Sequence, residues 1–190
     1  MLLFTRCFII CFIKPQKEGS MLLDNLTTPP SIDINVALFC RSLNKTAPIY
    51  LEVLPELWCR QQCCILNAKK FVSDNGGSIV NGYKIWYKRD KYIEGERHTV
   101  VKLEDGDLRD ITFNADGETS ILFSADDDQD MDYEDRPLKI RRGLTKAALE
   151  LAATLNQQDK NIRRGSDEEA WAKMITYEDW MKGKRQGPFY

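Results

Sequence analysis

The 190-residue sequence contains one histidine, His98, and no C-x-x-C pair that repeats along the chain. These absences exclude the common zinc patterns, which are built from several Cys and His ligands at fixed spacings. A glycine-rich loop of the kind that cradles phosphate groups is also missing. We therefore expect neither a metal site nor a bound cofactor.

A disulfide framework is absent too, although the chain has six cysteines. Cys63 and Cys64 are adjacent, and adjacent cysteines rarely bridge each other. A chain of this length can bury a sizeable core without disulfides. We expect free thiols and a reducing, cytoplasmic compartment.

No apolar run is long enough to cross a membrane as a helix. The longest candidate, residues 1–13, is interrupted by Arg6 and falls short of the roughly 20 residues that a span requires. We expect no stable membrane anchor, and we interpret residues 1–20 as a non-structural leader or a mis-assigned start, with translation beginning near Met21. If the leader is instead a genuine signal peptide, the protein is secreted or injected.

The chain also lacks a strong charge of either sign, since 27 Lys and Arg residues oppose 29 Asp and Glu residues. No nucleic-acid partner is evident from this balance. Acidic residues cluster at 126–135, but an EF-hand calcium loop needs Gly and Glu where Met131 and Pro137 stand. We expect a solvated loop there.

The hydrophobic periodicity predicts an α+β fold. Apolar residues at helical spacing predict a helix from about Gln61 to Ser73, ended by the glycines at 76–77. Alternation with a period of two then predicts strands at 78–88, 91–103, 108–113 and 119–123, arranged as an antiparallel β-meander packed on the Cys-bearing helix. We place this core at residues 21–136.

Helical spacing returns in residues 137–190, which we interpret as a C-terminal helical extension. Apolar residues predict one helix between Leu144 and Leu155. Ser166 is the expected N-cap of a last helix, with Glu169 at the capping-box position. That helix carries Trp171 and Trp180.

Cys64, His98 and Asp110 are the candidate catalytic residues. Cys64 lies near the start of the first strong helix, and His98 and Asp110 lie on strands joined by a hairpin centred on residues 105–106. Such a hairpin pairs residues whose numbers add to roughly 209–211, which brings His98 within one diagonal step of Asp110. A carboxylate there can orient the imidazole, and the helix N-terminus and an imidazolium both favour a thiolate.

Other residues near this site are candidates for substrate binding. Gln62 (or Gln61) can add a side-chain donor to the backbone amides of the helix start, which we expect to form an oxyanion hole. Glu94 and Glu96 share a strand face with His98, and Asn67 completes a C-x-x-N motif with Cys64. Cys63 is the rival nucleophile.

The motifs resemble a known group of proteins. The C-x-x-N at 64–67, the glycine pair at 76–77, the strand GYKIW and the run IEGERHTVVKLEDGDLRDIT are similar to a family of uncharacterised bacterial and phage domains. More broadly, the pattern resembles papain- and transglutaminase-like thiol folds over about residues 55–125. Lys102 departs from it, because an aromatic residue is common at that position.

This resemblance implies a cysteine-dependent hydrolase or acyl/amide transferase acting on a peptide, amide or acyl substrate, with the order Cys64, His98, Asp110. Each residue also has a structural explanation: a buried thiol, a sheet histidine, and a carboxylate that caps a turn or pairs with Arg97 or Arg109. The alternative is therefore a non-catalytic protein-binding domain of the same fold, such as a phage or mobile-element accessory protein. A toxin of the deamidase kind is a third hypothesis.

Overall fold

The computed structural model describes residues 26–132, 135–160 and 165–187, so the prediction for residues 1–20 lies outside the described residues. It contains both helices and an antiparallel sheet, which confirms the α+β class. The helices are α1 (Ile34–Leu43), α2 (Cys64–Asn75), α3 (Lys146–Asp159), α4 (Asp167–Lys173) and α5 (Tyr177–Met181). The strands are β1 (Ile49–Glu52), β2 (Ser78–Lys88), β3 (Tyr92–Lys102), β4 (Leu108–Arg109), β5 (Ser120–Ala125) and β6 (Lys139–Gly143).

The strand order differs from that of a sequential meander. The order is β1-β5-β2-β3-β4, so β5 pairs with β2 rather than with β4. Successive residues Ile121, Leu122 and Phe123 of β5 are all fully buried. A strand covered on both faces belongs inside the sheet, which explains why β5 lies between β1 and β2 instead of at an edge.

The hairpin that joins β3 to β4 has the predicted register. Val101 faces Arg109 and Lys102 faces Leu108, pairs whose numbers add to 210. β4 is nevertheless shorter than predicted, because the main chain at Asp110 leaves β3. The Asp110 N–H donates to the Glu52 carbonyl oxygen at 3.3 Å, and its carbonyl oxygen accepts from the Leu54 N–H at 2.7 Å.

Strand β6 lies in the segment predicted to be a helical extension. It pairs with residues 92–96 of β3. Its sequence, KIRRG, is mostly charged, so the alternation of apolar and polar residues that predicts a strand is absent from it. Residues on both sides of the predicted boundary at 136 therefore build one sheet. β3 has β2 along one edge, and its other edge is shared by β6 and β4 at opposite ends.

The helix ends follow their capping residues. α2 begins three residues later than predicted and ends at Gly76, whose φ is +81°. Ser166 and Glu169 form the predicted capping box at α4. The single last helix that we expected is two helices, because Met174 is extended and Thr176 caps α5 by accepting from the Asp179 N–H.

Two clusters of buried residues hold the helices against the sheet. Val36, Phe39 and Cys40 of α1 pack with four residues of the strands: Tyr83, Ile85, Ile93 and Leu122. Ala68 and Phe71 of α2 pack with Cys59, Val101 and Ile111. None of the helices in the described ranges has the length and apolar character that a bilayer crossing requires.

The turn from α2 into β2 requires glycine. Gly77 has a φ of +88°, and a Cβ there would collide with the Lys102 carbonyl oxygen. Gly106 has a φ of +96°, but a Cβ there would meet only the Lys102 side chain, in ordinary contact at 4.0 Å. We expect Gly106→Ala to lower the free energy of unfolding by about 1 kcal/mol and Gly77→Ala by about 3 kcal/mol, since only the second adds a backbone collision to the strain. Urea unfolding of both variants measures the difference, and equal losses would contradict this account.

Candidate functional site

Cys64 is the first residue of α2 and lines a cleft of about 420 Å³. The N-cap residue, Cys63, makes no side-chain capping hydrogen bond. Gln62 enters the helix with a φ of +58°, a left-handed conformation that a non-glycine residue rarely adopts. The positive end of the α2 dipole therefore lies at the thiol, where it favours a thiolate.

His98 is held between a carboxylate and this thiol. Its Nε2 lies 3.0 Å from Oδ2 of Asp110, and the His98 side chain is 4% exposed. A hydrogen bond with Cys64 is among the interactions that raise the pKa of His98. Since Asp110 engages Nε2, the other ring nitrogen, Nδ1, is the one left for the thiol.

The charge balance around His98 favours the imidazolium form. Burial lowers the pKa of the ring, but Asp110 and Cys64 together outweigh burial, so the pKa is raised to about 9. The ring is consequently charged at neutral pH. An imidazolium beside Cys64 is the partner that a thiolate needs.

Asp110 lies just after the short strand β4, and main-chain hydrogen bonds to residues 52 and 54 hold it in position. Its side chain is fully buried, and its Oδ1 accepts from the Thr112 N–H at 2.8 Å. That bond leaves Oδ2 for His98. The departure of the main chain from β3 toward β1 therefore fixes the carboxylate that orients the ring.

The structure distinguishes the two rival nucleophiles. Cys64 lines the cleft and hydrogen-bonds to His98, whereas Cys63 does not line the cleft. Burial raises the pKa of Cys63 and of Cys59 to about 12, and that of Cys40 to about 11. These three thiols are free and remain protonated at neutral pH.

The predicted substrate-binding residues fall into two groups. Gln62 and Glu96 line the cleft, while Asn67 and Glu94 are outside its walls. Asn67 is fully buried and holds the loop before α2, accepting from the Arg60 N–H at 2.8 Å and donating to the Thr112 Oγ1 at 3.0 Å. Asn67 thus braces the site instead of facing a substrate.

The two glutamates of β3 are both paired with cations. Glu94 is 1% exposed and forms ion pairs with Lys139 and Arg141. Glu96 accepts from the Trp86 indole N–H at 2.7 Å and lies 3.6 Å from the ammonium groups of Lys84 and Lys139. Burial opposes ionisation of Glu96, but the two lysines, with the Trp86 hydrogen bond and the charge of His98, outweigh burial and lower the pKa of Glu96 to about 2.

Several cleft residues were missed by the sequence analysis. Lys84 and Trp86 line the cleft, and they lie opposite Glu96 and Glu94 in the pairing of β2 with β3. Their alternate positions on β2 carried this signal. Asp167, the first residue of α4, and Gln186, which follows α5, also line the cleft, but no local pattern indicated that the C-terminal part of the chain approaches it.

Within the described ranges, no group of three or more His, Cys, Asp or Glu side chains is arranged to hold a metal ion. No protein-family model, curated protein or solved structure matches the chain. The relationship to papain- and transglutaminase-like folds therefore stays a prediction from the motifs. The chemistry of the site is inferred from the arrangement of Cys64, His98 and Asp110.

The sole histidine allows a direct test of this electrostatic arrangement. We expect the ring of His98 to titrate at a pH of about 9 in NMR spectra of the untagged protein. In Asp110→Asn the carboxylate is lost while burial and Cys64 remain, so the pKa should fall well below its wild-type value of about 9.

Asp116→Asn is the matched control, because Asp116 lines the same cleft but is exposed and is not among the groups that shift the pKa of His98. Its titration should stay near pH 9. A wild-type pKa near 6.5, or one that Asp110→Asn leaves unchanged, would contradict the charge balance described above.

Proposed function

We propose that this protein is a cysteine-dependent hydrolase or acyl/amide transferase, with Cys64 as nucleophile. The observation that carries the proposal is the buried contact between His98 and Asp110, 3.0 Å long, beside a thiol at the start of a helix. A peptide, amide or acyl compound is the substrate class that this chemistry serves.

His98 and Asp110 have different roles in activating Cys64. At neutral pH His98 is the imidazolium that its raised pKa favours, and it holds the proton that the Cys64 thiol has given up. Asp110 keeps the ring oriented and compensates its charge. The dipole of α2 favours the resulting thiolate. Together these effects lower the free energy needed to generate the nucleophile at neutral pH.

The reaction proceeds in two stages. The Cys64 thiolate attacks the carbonyl carbon, a C–S bond forms, and the carbonyl oxygen gains negative charge that main-chain N–H groups at the start of α2 stabilise. The bond to the leaving group then breaks, and His98 gives its proton to the departing nitrogen or oxygen. In the second stage water or an amine attacks the thioester, His98 takes its proton, and Cys64 is released.

A reducing compartment suits this chemistry. None of the described cysteines, Cys40, Cys59, Cys63 and Cys64, forms a disulfide. Oxidation of the nucleophile to a sulfenic acid or beyond would stop the reaction. We therefore propose the cytoplasm as the site of action.

Alkylation by iodoacetamide, mapped by mass spectrometry across a range of pH, tests the proposal. At pH 6 we expect Cys64 to be modified at least tenfold faster than Cys40, Cys59 and Cys63, because its partner is an imidazolium while burial keeps those three thiols protonated. His98→Ala should abolish the advantage of Cys64 at pH 6.

Cys63→Ala is the matched control, since it removes the neighbouring thiol and leaves His98 and Asp110 in place. The selective modification of Cys64 should persist in this variant. If all four described cysteines react alike, with the pH dependence of an ordinary thiol, the protein is a binding domain of this fold and not an enzyme.

A further inference from the structure

The loop before Cys64 is held by the C-terminal part of the chain. Main-chain hydrogen bonds run from Gln61 N–H to the Ile175 carbonyl at 3.1 Å and from Tyr177 N–H to the Cys59 carbonyl at 2.8 Å. The last described residues, 183–187, then return to the cleft, where Gln186 forms part of the wall. A segment distant in sequence thus lies beside the nucleophile.

Gln186 is fixed at both its side chain and its main chain. The side-chain Oε1 accepts from the Ile175 N–H at 3.0 Å, and Nε2 donates to the Lys173 carbonyl at 3.3 Å. Its main-chain carbonyl oxygen accepts from Nε2 of Gln61 at 3.1 Å. The side-chain N–H of Gln61, which lines the Cys64 cleft, therefore already donates to a peptide carbonyl.

The oxygen of the Gln61 side-chain amide, unlike its nitrogen, makes no hydrogen bond within the described residues. Gln61 is 4% exposed, and its Oε1 is buried with no hydrogen-bond partner among the described residues. A buried acceptor without a donor is costly, and natural proteins rarely keep one without a purpose. Gln61 is therefore prepared for a ligand that brings an N–H group.

We propose that the Gln61 side chain binds the main chain of an extended polypeptide substrate, and that residues 183–187 occupy this position in the free protein. The substrate carbonyl accepts from Nε2, in the place of the Gln186 carbonyl, and a substrate N–H donates to Oε1. This inference rests on the proposed function, and it names the substrate as a polypeptide.

The chemistry of the two hydrogen bonds selects this class. A peptide main chain offers an acceptor and a donor together, as the amide of Gln61 requires. An ester or thioester offers a carbonyl but no N–H. Displacing the segment breaks the three hydrogen bonds of Gln186, whereas residues 183–185 and 187 are exposed and can move without uncovering a core.

Two electrophiles with the same reactive group test the proposal. We would compare chloroacetone with N-acetyl-glycyl-glycyl chloromethyl ketone, which adds peptide main chain but no side chains, and measure the rate at which each alkylates Cys64. We expect wild type to prefer the peptidyl reagent by about tenfold or more, the value of one to two hydrogen bonds. Gln61→Ala should erase this preference.

Three further variants sharpen the result. Gln61→Glu keeps an acceptor and loses the donor, so an intermediate preference is expected. Gln186→Ala releases the side-chain anchors of residues 183–187 and should raise the rate with the peptidyl reagent several-fold. Gln158→Ala, at an exposed position of α3, is the matched control and should retain the wild-type preference.

The outcomes separate this inference from the proposed function. If Cys64 reacts selectively at pH 6 but shows no preference that Gln61→Ala removes, the enzyme proposal stands and the role of Gln61 is overturned. Binding is also measurable without thiol chemistry: in Cys64→Ala, N-acetyl-tetraglycine amide should shift the NMR signals of the Gln61 side-chain amide. Absence of that shift at millimolar peptide would likewise overturn the inference.

Discussion

The unequal pairing of β3 is the constraint on which the site depends. β2 follows one edge of β3 along its whole length, whereas β6 takes residues 92–96 of the other edge and β4 takes residues 101–102. His98 lies in the interval between them, next to Arg97, whose N–H donates to the Leu138 carbonyl at 2.7 Å. Arg97, His98 and Leu138 all line the cleft, so the cleft is located where the sheet edge divides.

The interval between β6 and β4 along the edge of β3 also separates two sets of charged residues. On the β6 side, Lys84 and Lys139 compensate Glu96, and its pKa is lowered to about 2. On the β4 side, Asp110 forms no ion pair with a lysine or arginine of the described ranges and is hydrogen-bonded to His98 and to the Thr112 N–H. Asp110 is therefore the carboxylate that hydrogen-bonds to His98 and raises its pKa, while the hydrogen bond of Glu96 goes to Trp86.

The sequence predicted those features that depend on neighbours along the chain. The bounds of β2, the register of the β3–β4 hairpin and the capping box at Ser166 follow from alternation, turn residues and capping chemistry. These placed His98 beside Asp110. The position of β5, the charged strand β6 and the approach of Gln186 to the cleft depend on packing between distant segments, for which a single sequence carries no local signal.

The C-terminal segment links the stability of the fold to the geometry of the thiol. Residues 57–61 lead into Cys64, and they hydrogen-bond to residues 174–178 rather than to the sheet. Asn67 closes the same loop from the helix side through both main-chain groups of Arg60. The left-handed Gln62 lies between these two sets of bonds, and such a conformation persists only where its surroundings enforce it. The position of the nucleophile therefore requires the helical segment that follows the sheet, and the core alone is not sufficient to build the site.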